Sequence, residues 1–209
     1  MKHSADLTED GLVRRMLAGD EEAFTLLYRR LHPSIYRFAL HMSGSPSVAE
    51  DVTQEVFITL IREGKKFDAA RGSLGSFLFG VARNFVRKRR EQDHRFAPLG
   101  DDHDERLQTL HPFNGSGNGR PQHPGDIVIS SELAGRVRLA VSSLPENYRE
   151  VVVLCELEEM SYEKVAEIMA CPVGTVRSRL HRARALLVEK LREDQEGRKE
   201  TDARKVARK

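Results

Sequence analysis

The chain has no tryptophan and two cysteines in 209 residues. Two cysteines cannot build the disulfide framework of a small secreted domain, so Cys155 and Cys171 fit a reduced, cytosolic protein. No CxxC pair is present, and no zinc or other metal site is expected. Aromatic residues are scarce, at 6%, which suits small helical cores. Long apolar runs are also missing. Nothing reaches the ~18 residues of a membrane span, and the polar start MKHSADLTED is unlike a secretory signal, so no membrane insertion is expected. There is no phosphate-binding loop, no nucleophile beside a base and no metal constellation, and the eight histidines are scattered. These absences argue against an enzyme and against a bound cofactor.

What the chain has in plenty is charge, 32% of its residues, balanced to a net +2. The balance hides an uneven distribution. Val173 to Arg192 holds six Lys or Arg and one Glu, whereas Glu91 to Ser130 holds seven Asp or Glu and three Arg. A polyanion responds to local charge, not to the total.

Periodicity places that charge on helices. Apolar residues at Val173, Val176, Leu180, Ala183, Leu187 and Leu191 are spaced by three and four, the stripe of an amphipathic helix. At about 100° per residue, Gly174, Ser178, His181, Arg182 and Ala185 fall opposite, with Arg177, Arg179 and Arg184 on the shoulders. A shorter helix, Ser161 to about Met169, precedes it, with Ser161 as N-cap. Cys171-Pro172-Val173-Gly174 breaks the pattern between the two. A short helix, a turn and an Arg-rich helix form a helix-turn-helix, whose second helix enters the DNA major groove. The small residues opposite the stripe would admit DNA closely, which a merely solvated face has no need to do. On this reading Arg177, Ser178, His181 and Arg182 read bases, and Arg179 and Arg184 hold phosphates. Thr175 lies at the start of the same face.

Upstream, Leu12 to Leu17 suggests a first helix. A second follows Asp20 and carries Phe24, Leu27, Leu31, Ile35 and Phe38, with a kink expected at Pro33. A third runs from Pro46 to Arg62, with Asp51, Gln54 and Glu55 on its outer face and Ile58 expected to be exposed among them, a combination suited to a partner with a basic rim. A loop from Glu63 to Ser73 carries Phe67. A fourth helix runs from Leu74 to Glu91. Its face Arg83, Asn84, Arg87 and Lys88, beside Phe67, suits unpaired bases stacked over a basic surface. Residues 92–130 lose periodicity and read as a flexible acidic linker, expected to shield DNA binding in the free protein. Residues 131–192 form a second helical domain, with a helix from Glu146 to Leu157 as buttress. The tail 193–209 is charged and expected to fray. The fold class is therefore all-α, with two small helical domains, 1–91 and 131–192, the second a helix-turn-helix domain.

Four motifs in this order, AEDVTQEVF (49–57), GSFLFGVARNFVRKRR (75–90), LPENYREVVVL (144–154) and SYEKVAEIMACPVGTVRSRLHRAR (161–184), resemble the extracytoplasmic-function (ECF) RNA polymerase sigma factors of the sigma-70 superfamily. The opening AGDEEAFTLLYRR (18–30) is similar too. The resemblance implies binding to core RNA polymerase, through Asp51, Gln54, Glu55 and Ile58 to the clamp helices of the largest subunit and through the second domain to the flap of the second-largest. It implies that Phe67, Arg71, Arg83, Asn84, Arg87 and Lys88 bind the melted minus-ten element of promoter DNA. The recognition helix, with Thr175, Arg177, Ser178, Arg179, His181, Arg182 and Arg184, would read the minus-thirty-five element. An anti-sigma factor is a further partner the resemblance allows. The family often has a tryptophan in the basic-helix region, where this chain offers Phe77 and Phe79. Met160 stands where the family usually has glycine. The rival reading is a stand-alone helix-turn-helix repressor or response-regulator output protein. Such repressors usually dimerise on paired half-sites, and here the N-terminal domain carries a basic face of its own.

Overall fold

The computed structural model describes residues 8–70, 72–96 and 124–206. Every regular element among them is helical: α1 (Glu9–Leu17), α2 (Glu21–Ser43), α3 (Pro46–Glu63), α4 (Leu74–Phe96), α5 (Pro124–Ser142), α6 (Glu146–Val152), α7 (Tyr162–Met169) and α8 (Val173–Val206). This is the all-α architecture expected.

Local chemistry sets the boundaries. Thr8, Asp20 and Ser45 each cap a helix, accepting a hydrogen bond from the backbone N–H three residues on, which satisfies one of the orphan donors of the first turn. Gly44 ends α2 at φ 72°, a left-handed conformation that glycine adopts without Cβ strain. Pro46 then opens α3, where its missing N–H costs nothing. Pro33 sits on the exposed side of α2, which continues through it as helix.

Helices α1–α4 enclose Leu12, Leu27, Ile35, Phe38, Leu60, Leu74 and Leu78, all fully buried. Truncating any of these leucines to alanine would cost about 2–5 kcal/mol. Phe38 meets the buried Phe79 edge-on, with ring centroids 5.4 Å apart. Helices α5–α8 enclose Leu144, Val151, Val153, Leu154, Val165, Val176, Leu180 and Ala183. The two sets join into one core cluster, with α4 against α7 and α2 against α5 and α6.

Three boundaries differ from those the sequence suggested, and one helix changes its winding. Helix α4 continues to Phe96 and α5 begins at Pro124, inside the stretch read as linker. Proline is compatible with a helix start. Residues 97–123 lie outside the described residues, and with them the shielding expected of the linker. The buttress helix α6 continues as a π-turn over Val153–Leu157. Helix α8 does not end near Arg192 but extends to Val206. Its Lys, Arg, Glu and Gln residues are good helix formers, and Arg192 pairs with Glu196 one turn on. Both cysteines are free thiols.

Candidate nucleic-acid and polymerase interface

The helix-turn-helix is built from its caps outward. The Ser161 hydroxyl accepts from Lys164 N–H and starts α7. Ala170 ends it in the left-handed region at φ 50°, and the chain reverses so that Thr175 N–H donates to the Pro172 carbonyl at 2.8 Å. Val165, Ile168 and Met169 of α7 and Val176, Leu180 and Ala183 of α8 turn their side chains into the core, which fixes how α8 is rotated. The arc left outside contains Gly174, Arg177, Ser178, His181, Arg182 and Ala185, all exposed. A Cβ added at Gly174 would meet nothing within 4 Å, so this end of the helix is open to a close neighbour. Thr175 is half-buried, and its carbonyl accepts from the Ser178 hydroxyl at 3.0 Å.

The arginines divide by their partners. The Arg177 guanidinium lies over the Tyr162 ring, 5.8 Å from the centroid, close enough for a cation–π contact. Arg184 is exposed but engaged: its Nε donates to Glu156 Oε1 at 3.1 Å, and a terminal nitrogen pairs with the same oxygen. Arg179 is half-buried, and its charge acts on the buried Glu150.

On α4, Asn84, Arg87 and Lys88 are exposed. Arg83 is not on that open face. Its side chain is 18% exposed and ion-paired to Glu150 of α6. Glu150 is buried, and desolvation raises its pKa while Arg83 opposes the rise. Phe67 is half-buried, its ring tilted against Phe77 at 5.9 Å. Ser73 caps α4, its hydroxyl accepting from Ser76 N–H at 3.1 Å. Gly72, at φ 155°, turns the chain into that cap. Together these residues line an open cavity of about 340 Å³, bounded by Lys66, Phe67, Asp68, Ser73, Phe77 and, from α7, Glu167. Arg71 lies outside the described residues.

On α3, Asp51, Gln54 and Glu55 are exposed side by side, and Asp51 pairs with Arg89 at 2.5 Å. Ile58 is half-buried rather than exposed, since α2 and α4 pack on the two flanks of α3. The apolar residue that does reach solvent is Ile61, 58% exposed. Among the described residues, no group of three His, Cys, Asp or Glu side chains could hold a metal ion.

The family described as Sigma-70 region 2 matches residues 27–96, and Sigma-70, region 4 matches residues 134–187. The ECF RNA polymerase sigma-E factor of Escherichia coli K12 is 34% identical over 190 residues, 90% of this chain and 96% of the relative. The chain belongs to the ECF RNA polymerase sigma factors. A second relative, the ECF RNA polymerase sigma factor SigW of Bacillus subtilis, is 29% identical over 87% of this chain and 95% of its own. Two solved structures share the fold. The sigma factor RpoE of Bartonella quintana, in complex with the anti-sigma factor NepR, has a TM-score of 0.61 at 24% identity, covering 81% of this chain and 96% of its own. CnrH, in complex with the cytosolic domain of CnrY, has a TM-score of 0.63 at 24% identity, covering 88% and 96%.

Sequence reasoning missed several residues that shape this sigma factor. Arg149 ties three segments together, donating to the carbonyls of Met42 at the end of α2, Ser142 at the end of α5, and Leu144. Glu150 occupies the same helix face as Val153 and Leu154, and a carboxylate on an apolar stripe was the signal that it is buried and paired. Glu156 and Glu158 carry no such signal, because their partners, Arg184 and Arg37, come from helices distant in sequence.

Proposed function

We propose that the chain binds core RNA polymerase, directs it to promoters with two separated elements, and is released after initiation. The observation that carries this is the exposed arc of α8, small and basic, set on a rigid helix-turn-helix in a chain that also contains region 2. In this reading Arg177, Ser178, His181 and Arg182 read the minus-thirty-five duplex. Thr175 and Arg179 flank them, and Arg184 reaches phosphate once it leaves Glu156. Asn84, Arg87, Lys88, Phe67, Arg71 and Arg83 form the minus-ten surface, with unpaired bases stacking beside Phe67. Asp51, Gln54 and Glu55 meet the polymerase clamp, with Ile61 as well as Ile58 supplying apolar contact. Residues 1–91 and 131–192 act as the two domains. Two modest DNA contacts and a polymerase contact on one chain reinforce each other through effective concentration.

The role calls for no catalytic step by this chain, and its site of action is the cytoplasm, where polymerase and promoter are. No helix among the described residues is long and apolar enough to cross a membrane. An anti-sigma factor would act by covering the α3 or α4 faces. A stand-alone repressor is the weaker reading, because it leaves region 2 without a purpose. Co-elution with purified core polymerase tests the proposal. A chain that runs separately from polymerase at micromolar concentration contradicts it.

A further inference from the structure

One shoulder of the recognition helix is held from outside. At about 100° per residue, Arg177 and Arg184 stand two turns apart on the same side of α8, between the buried stripe and the exposed arc. Each meets a residue of the segment that leads into α7. Arg184 is paired with Glu156. Arg177 has its guanidinium carbon over the Tyr162 ring, 5.8 Å from the centroid. Tyr162 is the first residue of α7, directly after the Ser161 cap, and it is half-buried and packed against the core. Cap and core leave its ring, with only two side-chain torsions, few positions to adopt. Arg177 is exposed, and an arginine gives up much rotamer freedom whenever it is fixed in one direction. A stiff ring therefore sits beneath a side chain that would otherwise sample many.

We infer that Tyr162 is a positioning residue for promoter recognition: its ring holds the Arg177 guanidinium at the lip of the exposed arc, so that Arg177 meets a base edge in the groove rather than the nearest phosphate. The inference rests on the reading of Arg177 as a base contact in the minus-thirty-five duplex. A guanidinium fork fits the edge of guanine and a phosphate equally well. An untethered arginine at the groove wall thus divides between the two, and the phosphate carries no sequence information. The ring attracts the guanidinium through its charge and takes none of its N–H donors. A carboxylate would take them, as Glu156 does on Arg184. This separates the two arginines of the shoulder: one has its donors engaged, and the other is directed with its donors left for DNA. A cation–π contact at an exposed site shifts an equilibrium about two- to fivefold, which sets the size of the effect.

The experiment uses the full chain and the duplex that the wild type selects from a randomised library, together with its single-base variants and an unrelated duplex, read by anisotropy. Tyr162→Leu removes the ring, and Tyr162→Phe keeps it without the hydroxyl. Arg177→Ala and the double variant Tyr162→Leu, Arg177→Ala complete a cycle. Tyr162→Leu should lose about two- to fivefold in discrimination at the base pairs where Arg177→Ala relaxes it, with affinity for the unrelated duplex unchanged. Tyr162→Phe should keep the wild-type preference, and the leucine substitution should change nothing further once Arg177 is alanine. In the free chain, the Arg177 side-chain protons should show an upfield ring-current shift by NMR in the wild type and in Tyr162→Phe. An unshifted wild type overturns the inference without recourse to any variant. Loss of preference in Tyr162→Phe equal to that in Tyr162→Leu also overturns it, because the hydroxyl would then be a DNA contact in its own right. So does a full effect of Tyr162→Leu in the Arg177→Ala background. Wild-type preference in Arg177→Ala would refute the base contact and the inference with it, whereas relaxed preference in Arg177→Ala and none in Tyr162→Leu would count against the role of the tyrosine alone.

Discussion

Replacing Glu156 with alanine is expected to strengthen binding to duplex DNA. Glu156 holds Arg184 through two contacts to one carboxylate oxygen, and both side chains are largely exposed, at 41% and 58%. Exposed pairs of this kind contribute little to folding, so the variant should melt as the wild type does. Freed, Arg184 can reach a phosphate at the wall of the groove. One added phosphate contact steepens the dependence of log K on log salt by about 0.9, which amounts to about eightfold between 1 M and 0.1 M salt. Glu156→Ala should therefore match the wild type at 1 M salt and bind about eightfold more tightly at 0.1 M, with the same base preference. The double variant Glu156→Ala, Arg184→Ala should return to the wild-type slope. Arg182→Ala differs in kind. Its side chain lies on the exposed arc without a carboxylate to hold it, and a bidentate arginine–guanine contact carries ~1–3 kcal/mol of discrimination. That variant should lose roughly ten- to a hundredfold on the preferred duplex and relax preference at one or two base pairs. The assay is anisotropy against a selected duplex and its single-base variants across a salt series. An unchanged slope for Glu156→Ala, or an altered base preference, would refute the orientation assigned to α8.

Three other outcomes are expected. Asp51→Arg with Glu55→Arg should weaken polymerase binding at least about tenfold while leaving helicity and melting unchanged, since both positions are exposed and the Asp51–Arg89 pair adds little; calorimetric titration of core polymerase would show it. His41 is held to a pKa of about 4 by burial and by the charges of Arg138, Arg37 and Arg149. Its folded value lies below the unfolded one, so stability is complete above about pH 6.5 and is lost as pH falls towards 4. Between pH 7 and pH 5 the loss should be about 2 kcal/mol, seen as a fall in urea midpoint that is absent in His41→Gln. Ala170→Gly should stabilise the fold by about 0.5–1 kcal/mol, because a non-glycine residue at φ 50° bears Cβ strain that outweighs the added freedom of the unfolded chain; thermal melting reads it.

The fold was legible where side-chain pattern and local chemistry agree. Ser43-Gly44-Ser45-Pro46 specifies a helix stop, a cap and a helix start within four residues, and α2 and α3 end and begin there. The stripe Val176–Leu180–Ala183 set the rotation of α8, so the exposed positions of its outer arc could be read from spacing alone. What spacing does not encode is contact between distant helices. Arg83 looked like its neighbours Asn84 and Arg87 on α4, but Glu150 of α6 pairs with it and leaves its side chain 18% exposed. Ile58 shares a face with Asp51 by helical geometry, yet the flanking helices leave Ile61 as the exposed residue. Glu156 lies within a π-turn and Glu158 is the residue that ends it, and the wider winding shifts their directions from those an α-helical wheel assigns.

The central claim is that this chain gives core polymerase its promoter. Run-off transcription tests it most directly. Purified core polymerase is supplied with the chain and a library of genomic fragments from its host, and the transcripts are sequenced at their 5′ ends. Transcripts that begin at fixed sites sharing two separated upstream elements, and that disappear with Arg182→Ala or with Asp51→Arg and Glu55→Arg, are the predicted result. Transcripts with no shared upstream sequence, or the same starts with and without the chain, would contradict the account.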